Sequence, residues 1–184
     1  MLNNSKYEYY IDNSNYKKIL NKIKVRKASG KEFVFKYSKD FKYKEDFIKI
    51  EKALNIKDKY YKYSYIYDVV CDYLDDLFIK KNMCEFANDK CYSNRCKKFE
   101  KTCGCCSNNK GVECEYFDKD HCTIKCSGCK FYICPALRKK KGPILMKDIW
   151  IAYYLLSPRE RLVLRYTVFT PKERIIEKMI KFRI

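Results

Sequence analysis

The sequence has little glycine, proline, tryptophan or histidine, with 5, 4, 1 and 1 of them in 184 residues. It holds no Gly-rich phosphate loop, no nucleophile elbow, no paired serine and histidine arrangement and no HExxH helix. A hydrolase or a nucleotide-dependent enzyme is therefore disfavoured. No apolar run reaches the length of a membrane span, and the opening MLNNSKYEYYIDNSNYKK lacks the apolar segment of a secretory signal. The chain is expected to be cytoplasmic. In that reducing compartment dense cysteines serve as metal ligands more readily than as disulfides.

What the chain has is positive charge, tyrosine and cysteine. Lys and Arg number 41 against 23 Asp and Glu, a formal net charge of +18. Metal ligation would turn thiols into thiolates and leave roughly +11 to +13, still basic. Such a surface attracts nucleic acid, acidic proteins or anionic lipid without choosing among them.

Composition divides the chain into a basic, aromatic-rich start (1–83), a cysteine-rich middle (84–135) and a helical end (136–184). The expected fold is mainly α with a small N-terminal β-hairpin, and with the middle as a loop-rich module organised by metal. IKVRK and EFVFKY alternate apolar with charged residues on either side of Ala28–Lys31, which predicts the hairpin. Helices are predicted around Phe47–Ile56 and Tyr65–Phe78, and ILMKDIWIAYYLL has the apolar density of a buried helix. Ser157-Pro158-Arg159-Glu160 and Thr170-Pro171-Lys172-Glu173 each place a hydroxyl at N-cap, Pro at N1 and Glu at N3. LSPRERLVLRY also resembles the first helix of a helix-turn-helix, but a capped amphipathic helix packed on the core is the preferred reading.

All but one of the twelve cysteines fall in the middle segment, at Cys84, Cys91, Cys96, Cys103, Cys105, Cys106, Cys114, Cys122, Cys126, Cys129 and Cys134. These are the candidate metal ligands. Their neighbours are Asn, Lys, Asp, Ser and Gly, so inert buried cysteine is a poor explanation. Cys71 sits instead on the apolar stripe of a predicted helix and reads as a core residue. His121, in an Asp-Lys-Asp-His run, reads as an exposed side chain before a ligand.

Thiolates are soft donors that suit zinc and iron–sulfur clusters. Structural zinc sites usually pair two Cys-x2-Cys knuckles, and Cys126-Ser127-Gly128-Cys129 has that form. Cys122-x3-Cys126-x2-Cys129-x4-Cys134-Pro135 has the closely spaced thiols and trailing proline of cluster-binding loops. A [4Fe–4S] iron–sulfur cluster is preferred, with zinc as the alternative.

TCGCC at 102–106, Cys114-Glu115-Tyr116-Phe117 and Cys122-Thr123-Ile124 together resemble the CxxCxxCC zinc- or iron-chelating domain of YkgJ-like proteins and flagellin lysine methylases. The similarity lies around Cys96 to Cys134 and is carried best by Cys105, Cys106, Cys114 and Cys122. It implies metal chelation, and methyl transfer as the enzymatic possibility. Two functions are expected from these readings. One is a cysteine-cluster metalloprotein with a redox, regulatory or methyl-transfer role. The other is a zinc-stabilised basic module that binds nucleic acid or an acidic protein.

Overall fold

A computed structural model of the chain describes residues 6–85 and 126–182, together with the backbone at 117–118 and 121–122. Strand β1 (Lys6–Ile11) and strand β2 (Glu32–Tyr37) pair in parallel, from Lys6 against Glu32 to Ile11 against Tyr37. Helix α1 (Tyr16–Arg26) is the crossover that a parallel pair requires. The expected hairpin is therefore corrected, because IKVRK forms the end and C-cap of α1 and EFVFKY pairs with KYEYYI instead. The reason is period. Ile19, Leu20 and Ile23 recur at helical spacing and are buried, whereas Val25, which gave the strand-like alternation, is 83% exposed.

Tyr9, Ile11, Phe33 and Phe35 bury one face of this small sheet. Helix α2 (Lys44–Asn55) packs on β2 through Phe47, Ile50, Ala53 and Leu54, and also closes the strand's outer edge. Asn55 accepts from the Phe33 N–H at 2.9 Å and donates to the Phe33 carbonyl at 2.8 Å, while Glu51 accepts from the Phe35 N–H at 2.7 Å. Without these side chains the strand would expose unpaired backbone groups that invite pairing with another chain.

Helix α3 (Lys59–Asp75) begins at Asp58, whose carboxylate accepts from the Tyr61 N–H at 2.9 Å. Its buried residues Tyr63, Ile66, Tyr67, Val70, Cys71 and Leu74 follow the three-and-four spacing of one helix face. A single π-helical turn, Asp76–Lys80, follows it. Both predicted early helices are present.

The backbone of Phe117–Asp118 (β3) pairs antiparallel with His121–Cys122 (β4). Beyond it come α4 (Ser127–Phe131), α5 (Pro135–Lys141), a 3-10 turn at Met146–Asp148, α6 (Trp150–Leu155), α7 (Pro158–Tyr166) and α8 (Lys172–Lys181). The apolar run at 144–156 is thus a 3-10 turn followed by a short α-helix. The Ser157 capping box forms as expected, with the Glu160 N–H donating to Ser157 Oγ at 3.3 Å and the Ser157 N–H to Glu160 at 2.5 Å. The second start moves by one residue. The Thr170 hydroxyl donates to the Val168 carbonyl at 3.0 Å, and Pro171 takes the cap position.

Rings tie the two ends of the chain together. Trp150 stacks on Tyr16 at 5.5 Å and lies 5.0 Å from Tyr43 and 6.3 Å from Phe47. The buried apolar cluster runs from Tyr9 to Met179 and takes in Cys71, Cys126 and Cys134. The architecture is mainly helical, with eight α-helices and two two-stranded sheets among the described residues. None of those helices is long and apolar enough to cross a membrane.

Candidate metal centre

Cys126-Ser127-Gly128-Cys129 opens α4, and three features lock it in place. The Ser127 N–H donates to the Tyr67 hydroxyl at 3.2 Å and the Ser127 hydroxyl donates to the Leu164 carbonyl at 2.8 Å, so α4 is pinned to α3 and α7 together. Gly128 lies flat on the loop after α7. A Cβ there would stand 2.2 Å from the Thr167 carbonyl oxygen, a distance no side chain tolerates. Lys130, buried though charged, is neutralised by an ion pair to Asp75 of α3.

The same loop touches both sulfurs. Cys126 Sγ donates to the Thr167 carbonyl at 3.4 Å, and the Phe169 N–H donates to Cys129 Sγ at 3.4 Å. Phe169 holds φ at 49°, a left-handed conformation that costs a bulky L-residue about 1–2 kcal/mol. Backbone strain of this kind gathers where a group must be aimed, and here it aims an amide at a sulfur. Amide–sulfur hydrogen bonds stabilise thiolates and cluster sulfurs, and they are a main lever on cluster potential.

Cys134 is buried at the cap position of α5, with Pro135 as the first helical residue. Cys84 lies at the other end of that helix. Lys140 and Lys141 reach Glu85 at 2.7 and 3.1 Å, and the Lys141 amine also donates to the Met83 carbonyl at 3.1 Å. The seven residues of α5 rise about 10 Å, whereas two sulfurs on one zinc stand less than about 4.6 Å apart. Asn82 and Glu85, which flank the Met83–Cys84 pair, also hold positive φ, at 41° and 51°.

Cys71 behaves as the core residue expected. It is 7% exposed on α3, and burial pushes its thiol up to about 12, against the opposing pull of the nearby Lys130 ammonium. It shares a cleft of about 510 Å³ with Cys126, Tyr67, Asp68, Asp72 and Glu173. Burial likewise raises the Tyr67 hydroxyl, and the neighbouring Cys71 adds to the effect.

Of the expected ligands, Cys91, Cys96, Cys103, Cys105, Cys106 and Cys114 lie outside the described residues, and Cys122 is described only as backbone in β4. His121 sits in β4 opposite Asp118. Among the described residues, no three Cys, His, Asp or Glu side chains converge as a metal-holding group. What is in place is one elbow, Cys126 and Cys129, with both sulfurs in contact with one loop. Sequence reading missed that loop, although Gly128 between two cysteines was a signal of close backbone approach.

No protein-family model, curated protein or solved structure matches the chain.

Proposed function

We propose that the chain is a cysteine-ligated metalloprotein with a redox or regulatory role, in which Cys126 and Cys129 supply one arm of a [4Fe–4S] cluster or zinc centre. The observation that carries this reading is the Phe169 amide aimed at Cys129 Sγ from a strained backbone, beside a glycine that admits no side chain. A thiol needed only for packing calls for neither feature. Soft sulfur donors fit both groups, so the donor chemistry agrees with the assignment. Cys134 follows on the same segment, and the remaining ligands come from Cys91, Cys96, Cys103, Cys105, Cys106, Cys114 and Cys122.

Iron–sulfur is preferred because the thiols from Cys122 to Cys134 are closely spaced and a proline follows Cys134. The residues around the elbow would hold its shape, exclude water through Tyr67 and Phe131, and donate to sulfur from the Phe169 amide. Methyl transfer, implied by the resemblance to the CxxCxxCC domain, is the enzymatic variant of this reading. Purification without oxygen tests it. A brown protein absorbing broadly at about 400 nm, with iron and sulfide in proportion to chain, is the expected result. Colourless protein with stoichiometric zinc would move the assignment to the zinc-stabilised module, and protein without bound metal would end both.

A further inference from the structure

The two edges of the N-terminal sheet are finished differently. Backbone groups of successive strand residues point to alternate sides, and the Ile11 carbonyl accepts from the Ser38 N–H at 2.9 Å, on the β2 side. Tyr7, Tyr9 and Ile11 therefore turn toward β2, while Lys6, Glu8 and Tyr10 turn their N–H and C=O groups outward. Asn55 and Glu51 close the outer edge of β2. On the outer edge of β1 the hydrogen bond present among the described residues runs from Asn15 Nδ2 to the Tyr10 carbonyl, at 3.1 Å. Lys6, Glu8 and Tyr10 are all exposed. Charge is divided between the two faces of this strand. On the Tyr7 side the exposed Arg26 and Lys31 lie 4.9 and 5.3 Å from the Tyr7 ring centre. On the opposite side Glu8 is paired with Lys36, and Glu32 stands opposite Lys6.

We propose that β1 takes up an extended acidic segment of a partner protein as a third, antiparallel strand, with a partner carboxylate opposite Tyr7 and within reach of Arg26 and Lys31. The outward groups of Lys6, Glu8 and Tyr10 alternate donor with acceptor at strand spacing, and a polypeptide backbone is the ligand that repeats the complementary pattern. Antiparallel pairing is slightly the more stable of the two directions. In that pairing the side chain opposite Tyr7 lies on the same face as Tyr7, where the two cations are. The net charge of +18 then chooses between partners, since it draws in an acidic segment and sets two copies of this chain against each other. This inference does not depend on which metal the thiols hold.

Fluorescence anisotropy of the full chain as isolated, with a labelled peptide of about five Glu-Thr repeats, tests it. Glu8→Pro removes an outward N–H and leaves the bonds to β2 intact, so it should weaken binding by about tenfold or more while circular dichroism matches the parent. Glu8→Ala loses the same carboxylate but keeps the amide, and should stay within about twofold of the parent. Arg26→Gln should weaken binding by about three- to tenfold, whereas Lys22→Gln, the same charge removed from another exposed position of α1, should change it less than about twofold. The same peptide N-methylated throughout keeps its charge and loses its strand donors, and should bind about tenfold more weakly or worse. That comparison stands even if Glu8→Pro does not fold. Equal affinity for the two peptides, equal losses from Arg26→Gln and Lys22→Gln, or no binding of the peptide to the parent would overturn the proposal. So would a folded Glu8→Pro variant that binds like the parent. A dimer of the parent that Glu8→Pro abolishes would overturn it in favour of a second copy at this edge.

Discussion

Residues 6–75 and residues 126–134 reach similar burial by different means. In the first, Ile11, Phe33, Phe47, Ile50 and Ile66 are all but inaccessible and the contacts are apolar and numerous. In the second, Ser127, Gly128 and Lys130 are buried, and the fit rests on a few hydrogen bonds, one ion pair and one absent side chain. Apolar cores tolerate approximate filling, but a segment held by polar contacts tolerates little displacement. The first region needs only a hydrophobic sequence of the right period. The second is built to hold two sulfurs in a set relation to one loop.

Breaking each region separately should show the contrast. The largest effect is expected from Phe47→Ala, which empties a fully buried site and should cost about 3–5 kcal/mol in denaturant unfolding, with metal per folded chain unchanged. Next comes Gly128→Ala. Its Cβ must displace the Thr167 carbonyl, at about 1–3 kcal/mol, and bound metal should fall with it. Metal retained at parent level in Gly128→Ala would mean that the elbow is only structural.

A smaller change is expected from Ser157→Ala, which removes one side of the capping box for about 1 kcal/mol and leaves metal binding intact. The smallest belongs to Glu85, whose carboxyl is held below the usual range first by the Lys140 hydrogen bond and then by Lys141. Because its folded value is lowered, this tie is fully present above the ordinary carboxylate value. It is lost as pH falls through the lowered one. Hydrogen exchange at 82–85 should rise over that acid range while exchange in β2 stays constant; equal rises in both would deny a local tie.

The sequence carried the parts of the fold that depend on period. α2, α3 and the Ser157 cap are where apolar spacing and hydroxyl–proline–glutamate order put them. The N-terminal sheet was misread because its partner strands are separated by a helix whose last turn, around Val25, alternates like a strand. No local pattern encodes a pairing between Tyr9 and Phe35 across that distance. Cys71 was legible as core from the apolar stripe around it, and it is buried there. The thiol spacing pointed to Cys126 and Cys129, but not to Thr167 and Phe169, which reach them from about forty residues away and carry no composition of their own.

The most direct test sets the two kinds of thiol against each other under oxygen-free conditions. Iron, sulfide and zinc per chain would be measured in the parent, in Cys71→Ser and in a Cys126→Ser, Cys129→Ser double variant, each confirmed folded by circular dichroism. Parent-level metal in Cys71→Ser with loss of a centre in the double variant is the predicted result. Parent-level metal in the double variant would contradict the assignment of the elbow as a ligand arm.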